Sequence, residues 1–404
     1  MIKSAVRIDG LLRRQENLLQ EQPGTRDLEN SDKILSCYYN LPSDYSNRNM
    51  LQPSMIHPHL CTHINIAFVK IVNKTLSITE NLATGFRLMS KLKELNPNLK
   101  ILLSIGGSGA NNGFSDMVIN HASRKIFIRS AISILKEFNL DGIDLDWEFP
   151  ALHGSKPFIL KSRERQHFSQ LLREIRVEYS RHRRIYLLSV AVAAPQIIVD
   201  VAYNVDQLEL YVDYVHLMTY DFHYYSPDTP FTGLNAPLFP RQNEHYYLST
   251  LNVNFTVNMY IAKGLNRDKI VVGIPAYGHS FYLVNKNNGG LNSPASGYGS
   301  LGSSGFVSYP TVCQFMNTNK NKIIVNNETD AKVPYMHKDR EWVSYDDQYS
   351  VMEKAKYIKD NHLRGAMIYS LNSDDYHEDV GGCATLSAHA GGPRAATAAS
   401  LCAV

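Results

Sequence analysis

The residues most able to do chemistry lie in Asp141-Gly-Ile-Asp-Leu-Asp-Trp-Glu148. Strand side chains alternate with period two, so Asp144, Asp146 and Glu148 share one face. Ile143, Leu145 and Trp147 share the other. Three acids in register cannot be buried without partners, and their mutual repulsion raises the pKa of at least one. A protonated Glu148 at the end of such a strand, backed by a deeper Asp, is a general acid. A surface strand with polar alternation is the bland alternative, but its opposite face would not be fully apolar. A divalent-metal site is another, but no matching ligands recur at the ends of the other strands, so no metal is expected.

The elements that must position this strand are legible as alternation. Short β-rich runs fall at residues 34–39, 63–69, 100–104, 142–147, 185–193, 215–220, 270–275 and 365–371. Between them lie helical stripes, such as Phe127, Ala131, Ile134 and Phe138, or Phe168, Leu171, Leu172, Ile175 and Tyr179. Alternating strands and helices imply parallel pairing, and eight units favour a closed (β/α)8 TIM barrel, an α/β fold. The acidic strand would end at the barrel's C-terminal face, where such folds place their chemistry. No GxGxxG follows the first strand, which weakens a dinucleotide-binding reading.

The organisation expected is a barrel over residues 34–282 and 341–383, with a small α+β insertion at 283–340. A connection that long is expected to carry structure of its own. Residues 1–33 are unassigned and 384–404 read as a disordered, Ala-rich tail. The 404 residues carry 41 Lys and Arg against 38 Asp and Glu, too even a balance for a nucleic-acid binder. No run approaches a membrane span, and the N-terminus shows no signal-peptide core. The five cysteines are spread out with no CxxC, which argues against structural zinc.

The acidic segment matches the DxxDxDxE signature of glycoside hydrolase family 18, the chitinases. Ser104-Ile-Gly-Gly107 resembles the family's SxGG strand, and Met218-Thr-Tyr-Asp221 its MxYD strand. Residues 271–281 and 365–369 resemble two later strands, in the right order.

The resemblance implies an endo-acting, retaining hydrolase of β-1,4-N-acetylglucosamine linkages in chitin or its oligosaccharides. No cofactor is expected. Catalysis would be substrate-assisted, outside the usual two-carboxylate scheme. Glu148 would protonate the glycosidic oxygen while the substrate's own acetamido oxygen attacks the anomeric carbon. Asp146 would hold the acetamido N–H, Asp144 would share a proton with Asp146, and Tyr220 would bond the acetamido oxygen. Asp221, Met218, Tyr277, Tyr369 and Trp342 are the candidate substrate contacts. Ordinary packing is the alternative for Tyr277 and Trp342. Ser104–Gly107 read as packing beneath the acidic strand. His216 and His279 could shift the active pH range if both lie near Asp221; the alternative is solvated or core histidine.

Only two tryptophans occur against 24 tyrosines. Leu41 and Tyr369 stand where the family commonly has Trp, and Tyr224 and Tyr225 follow the MxYD strand. Activity is expected, with a weaker hold on crystalline chitin. The resemblance also implies disulfides Cys37–Cys61 and Cys313–Cys383, with Cys402 left over, and hence an extracellular, secreted monomer. Sequons at Asn73, Asn254 and Asn327 agree. The competing readings are a chitinase-like lectin that binds without cleaving and an endo-β-N-acetylglucosaminidase.

Overall fold

A computed structural model describes residues 33–109, 113–152 and 163–376. The expected tail at 384–404, the unassigned segment up to residue 32, and Cys383 and Cys402 lie outside the described residues.

The eight expected runs are eight strands. They are β1 (Ile34–Asn40), β2 (His63–Val72), β4 (Lys100–Gly106), β5 (Gly142–Asp146), β6 (Leu187–Ala193), β7 (Tyr214–Met218), β8 (Ile270–Pro275) and β15 (Gly365–Tyr369). A short β3 (Thr75–Ser77) folds back on β2 as a hairpin. The eight pair in parallel in the order β1-β15-β8-β7-β6-β5-β4-β2, and β1 pairs with β2 to close the ring. The fold is a (β/α)8 TIM barrel.

Helices cover the outside. Among them are α1 (Glu80–Leu95), α2 (Phe114–Met117), α3 (His121–Glu137) and α4 (Glu164–Tyr179). Thr79 caps α1 by accepting from Leu82 N–H, and Asn120 caps α3 by accepting from Ser123 N–H. The outward residues of β5, Ile143 and Leu145, join Phe127, Leu135, Phe168 and Leu171 in one buried layer. Trp147 closes that layer, stacked on Phe114 with ring centroids 5.1 Å apart. This apolar shell leaves the inward face of β5 free to carry acids.

A second, antiparallel sheet follows β8 after one residue. It contains β9 (Tyr277–Leu283), β10 (Ala295–Tyr298), β12 (Ile324–Glu328), β13 (Val333–Lys338) and β14 (Glu341–Ser344), in the order β10-β9-β14-β13-β12. The short β11 (Phe306–Ser308) pairs with β9, and one helix, α8 (Tyr309–Thr318), lies against it. The sheet reaches beyond residues 283–340 at both ends. The reason is pairing at long range: Phe281 of β9 faces Trp342 of β14, and neither strand announces the other locally.

Two more helices complete the elements needed below, α7 (Val253–Ala262) and α9 (Gln348–Asp360). Asp346 follows β14 and accepts from Lys354 of α9, both fully buried, and from Ser350 Oγ at 2.7 Å. This ion pair ties the second sheet's exit to the barrel. Burial lowers the pKa of Lys354 and raises that of Asp346, so each charge depends on the other.

Removing one partner leaves a buried charge uncompensated. Lys354→Ala should therefore cost about 3–5 kcal/mol of unfolding free energy in urea titrations. The double variant Lys354→Met/Asp346→Leu should recover most of it. A single-variant loss below about 1 kcal/mol would show that the pair carries little.

Candidate active site

The floor of the site is Asp144, fully buried at the centre of the barrel. Its Oδ2 accepts from Tyr38 Oη at 2.6 Å and Ser104 Oγ at 2.7 Å. Its Oδ1 accepts from Ser189 Oγ at 2.7 Å and lies 3.2 Å from His216 Nδ1. The four partners come from β1, β4, β6 and β7. Burial alone would raise this carboxyl's pKa. The bond and charge of His216, with the Tyr38 and Ser189 bonds, outweigh burial and hold it below its ordinary value. Asp144 is a stable anion.

Asp146 stands one step toward the mouth, 3% exposed. Its Oδ1 is buried with no hydrogen-bond partner. Burial, then the negative charges of Glu148 and Asp144, push its pKa well above the usual carboxylate range. Among the described residues no hydrogen bond joins Asp144 to Asp146 in this arrangement.

The backbone of β4 comes close beneath this strand. Gly107 N–H donates to the Asp146 carbonyl at 2.9 Å. A Cβ on Gly106, whose φ is +113°, would sit 2.0 Å from that carbonyl oxygen. Glycine is required there by contact and by conformation. Ser104 does more than the packing expected of it, since its hydroxyl supports Asp144.

Glu148 follows Trp147 at the mouth and is half-buried. Burial, then the charge of Asp221, raise its pKa to about 7. Asp221 itself has a left-handed backbone with φ 55°. Its Oδ1 accepts from Tyr277 Oη at 2.6 Å and meets His279 Nε2 at 2.7 Å. Its N–H donates to Asn235 Oδ1 at 2.9 Å. Asn235, fully buried, also donates from Nδ2 to the Tyr277 carbonyl at 3.1 Å and from its backbone N–H to Ser344 Oγ at 2.9 Å.

Asp146, Glu148, Asp221, Tyr277 and His279 line a cleft of about 620 Å³ with Met218, Tyr220, Tyr369, Tyr224, Tyr247 and Phe306. Tyr220 is nearly buried, with its ring 6.0 Å from Tyr277 and 5.9 Å from Tyr369. Tyr277 stacks on Phe306 at 4.4 Å.

Trp342 is the candidate that does not belong. It is fully buried in the second sheet, stacked on Tyr335, edge-on to Phe281, with Nε1 donating to the Gly289 carbonyl at 3.0 Å. Its register opposite Phe281 turns the indole into that core. The two histidines also separate. His279 sits on Asp221, whereas His216 sits on Asp144, fully buried.

Tyr38, Ser189 and Asn235 were missed. Strand parity could have found Tyr38 and Ser189, since Ser189 is registered directly beside Asp144. Asn235 lies in a loop and carried no signal. Cys37 and Cys61 form a disulfide across 24 residues. Cys313 is buried beside Val312 and Tyr309, and its expected partner lies outside the described residues. Among the described residues no group of three His, Cys, Asp or Glu is placed to hold a metal ion.

A (β/α)8 barrel with three acids in sequence rising from one strand into an aromatic cleft is the architecture found here. Residues 34–374 match the pattern of the glycosyl hydrolases family 18, and the chain belongs to that family. It is 36% identical to mouse chitotriosidase-1 over 354 residues, 85% of this chain and 73% of that protein. Its fold is similar to an Ostrinia furnacalis Group IV chitinase solved with allosamidin, at 32% identity, TM-score 0.82, covering 92% of this chain and 98% of that one. It is also similar to human YKL-39, described as a pseudo-chitinase with retained chitooligosaccharide binding, at 34% identity, TM-score 0.79, covering 88% and 97%.

The raised pKa of Glu148 has a consequence for stability. A carboxyl ordinarily near 4.5 that titrates at about 7 binds its proton more tightly folded than unfolded. Its contribution is fully present below pH 4.5 and is lost as the pH rises through 7. Glu148→Gln should therefore match the wild type near pH 4.5 and exceed it at pH 8, by on the order of 3 kcal/mol. Urea unfolding at the two pH values checks this; equal stability at pH 8 would contradict it.

Proposed function

We propose that the chain is an endo-acting, retaining hydrolase of β-1,4-linked N-acetylglucosamine in chitin or chito-oligosaccharides. One observation carries the reading: Glu148 stands at the mouth with its pKa raised to about 7, so it holds a proton to give at neutral pH. Glu148 protonates the glycosidic oxygen. The substrate's acetamido oxygen attacks the anomeric carbon, the bond to the leaving sugar breaks, and water later opens the oxazolinium with retention. The unpartnered Oδ1 of Asp146 is a ready acceptor for the acetamido N–H. Tyr220 supplies a hydroxyl beside it, and Asp221 holds charge near the scissile sugar. The tyrosines of the cleft offer sugar-stacking faces with less area than tryptophan.

A second reading, binding without cleavage, draws on the similarity to YKL-39. The two part on Glu148. We also propose that the protein is secreted. The Cys37–Cys61 disulfide supports this, since disulfides persist in oxidising compartments.

Hydrolysis of fluorogenic chitobioside and chitotrioside by wild type and Glu148→Gln is the test. Wild type should cleave, and the variant should lose roughly 10²–10⁴-fold in kcat while still binding. Binding without cleavage by the wild type establishes the lectin reading, and equal cleavage by both removes Glu148 from its role. The acid form is the active one, so kcat/KM should hold below pH 7 and fall above about pH 7. Tyr369→Ala should raise KM for the chitotrioside more than it lowers kcat. An unchanged KM would take the ring out of sugar binding.

A further inference from the structure

The three sequons occupy three different kinds of site. Asn73 and Lys74 form the two-residue tip of the β2–β3 hairpin, with φ of 50° and 67°. Both are exposed, as the tight turn demands. Nothing need move to admit a bulky group on Asn73.

Asn254 is different. It lies in the first turn of α7. Its Oδ1 accepts from Tyr357 Oη of α9 and from Asn258 Nδ2, each at 3.0 Å. Its sequon partner Thr256 is fully buried, with the hydroxyl donating to the Asn252 carbonyl at 3.0 Å. A glycan would hang from Nδ2 and leave Oδ1 to Tyr357, but the Thr256 hydroxyl that completes the sequon is sealed once α7 folds.

Asn327 lies on β12, the last strand of the second sheet, which among the described residues pairs only with β13. Among those residues its other side is an unpaired strand edge. Ile324 and Val325 on this strand are 53% and 47% exposed. Strand parity puts Val325 and Asn327 on one face. An exposed apolar edge is a template for pairing with another chain, and proteins cover or charge such edges. Thr329, which completes the sequon, is exposed.

We infer that Asn73 and Asn327 carry N-linked glycans, that Asn254 does not, and that the glycan on Asn327 shields the β12 edge. This rests on the reading that the chain is secreted. In the transfer, the Asn amide nitrogen bonds to the anomeric carbon of a lipid-pyrophosphate-linked oligosaccharide. The bond from that carbon to the phosphate oxygen breaks, the lipid pyrophosphate leaves with the electron pair, and the amide gives up one proton. Folding of α7 takes the Thr256 hydroxyl out of reach of the transfer, so Asn254 is left bare.

The test uses the full chain isolated from the tissue that makes it. Enzymatic deglycosylation in ¹⁸O water, followed by peptide mass spectrometry, should convert Asn73 and Asn327 to labelled Asp and leave Asn254 unchanged. Conversion at Asn254, or none at Asn327, overturns the assignment. Asn327→Gln and Thr329→Ala, expressed in eukaryotic cells, should each lose one gel-mobility step and self-associate by light scattering. Asn73→Gln should lose a step without self-association. Asn327→Gln as monodisperse as Asn73→Gln would overturn the shielding role. Alkylation of the same tissue sample separates the failures. A chain with Cys37–Cys61 intact but bare at Asn327 refutes the glycan alone. A reduced, bare chain refutes secretion as well.

Discussion

The structure turns on one buried anion. Asp144 sits where no water reaches, and an ionised carboxylate there is tolerated only if its lone pairs are filled. Four donors fill them, drawn from β1, β4, β6 and β7. Those strands must therefore hold their register against β5. A slip of one residue would send Tyr38, Ser104 or Ser189 to the outer face and leave the charge bare. The polar lining cannot supply the main burial of apolar area. That falls to the layer between strands and helices, where Leu145, Phe127, Phe168 and Leu171 are sealed. The barrel thus divides its labour by strand parity, with cohesion outside and charge inside.

Much of this was legible in the sequence because it is local. Period-two alternation within Gly142–Glu148 is enough to align the three acids, and each of the eight strands appears as a β-rich run. What was not legible depends on which strands meet. Trp342 reads equally well as a sugar platform or a core residue until β14 is known to pair with β9. The same pairing moves the edges of the second sheet to Tyr277 and Ser344. His216 and His279 look alike in sequence, but one stands on Asp144 and the other on Asp221. Asn235 belongs to no periodic element, so no pattern could mark it.

The three acids of β5 differ in ionisation because they differ in supply of donors. Asp144 takes four and stays charged. Asp146 takes none at Oδ1 and faces two negative neighbours, so it favours its proton. Glu148, nearer water, lies between these extremes. Its pKa is set first by burial and then by Asp221, whose charge lies across the cleft. That charge is held by Tyr277 and His279, both from β9, and its backbone is held by Asn235, whose own N–H donates to Ser344 Oγ of β14. The second sheet is therefore part of the electrostatics of the site. It orients the anion that, after burial, raises the pKa of the terminal glutamate, and the barrel alone would leave Asp221 without these partners.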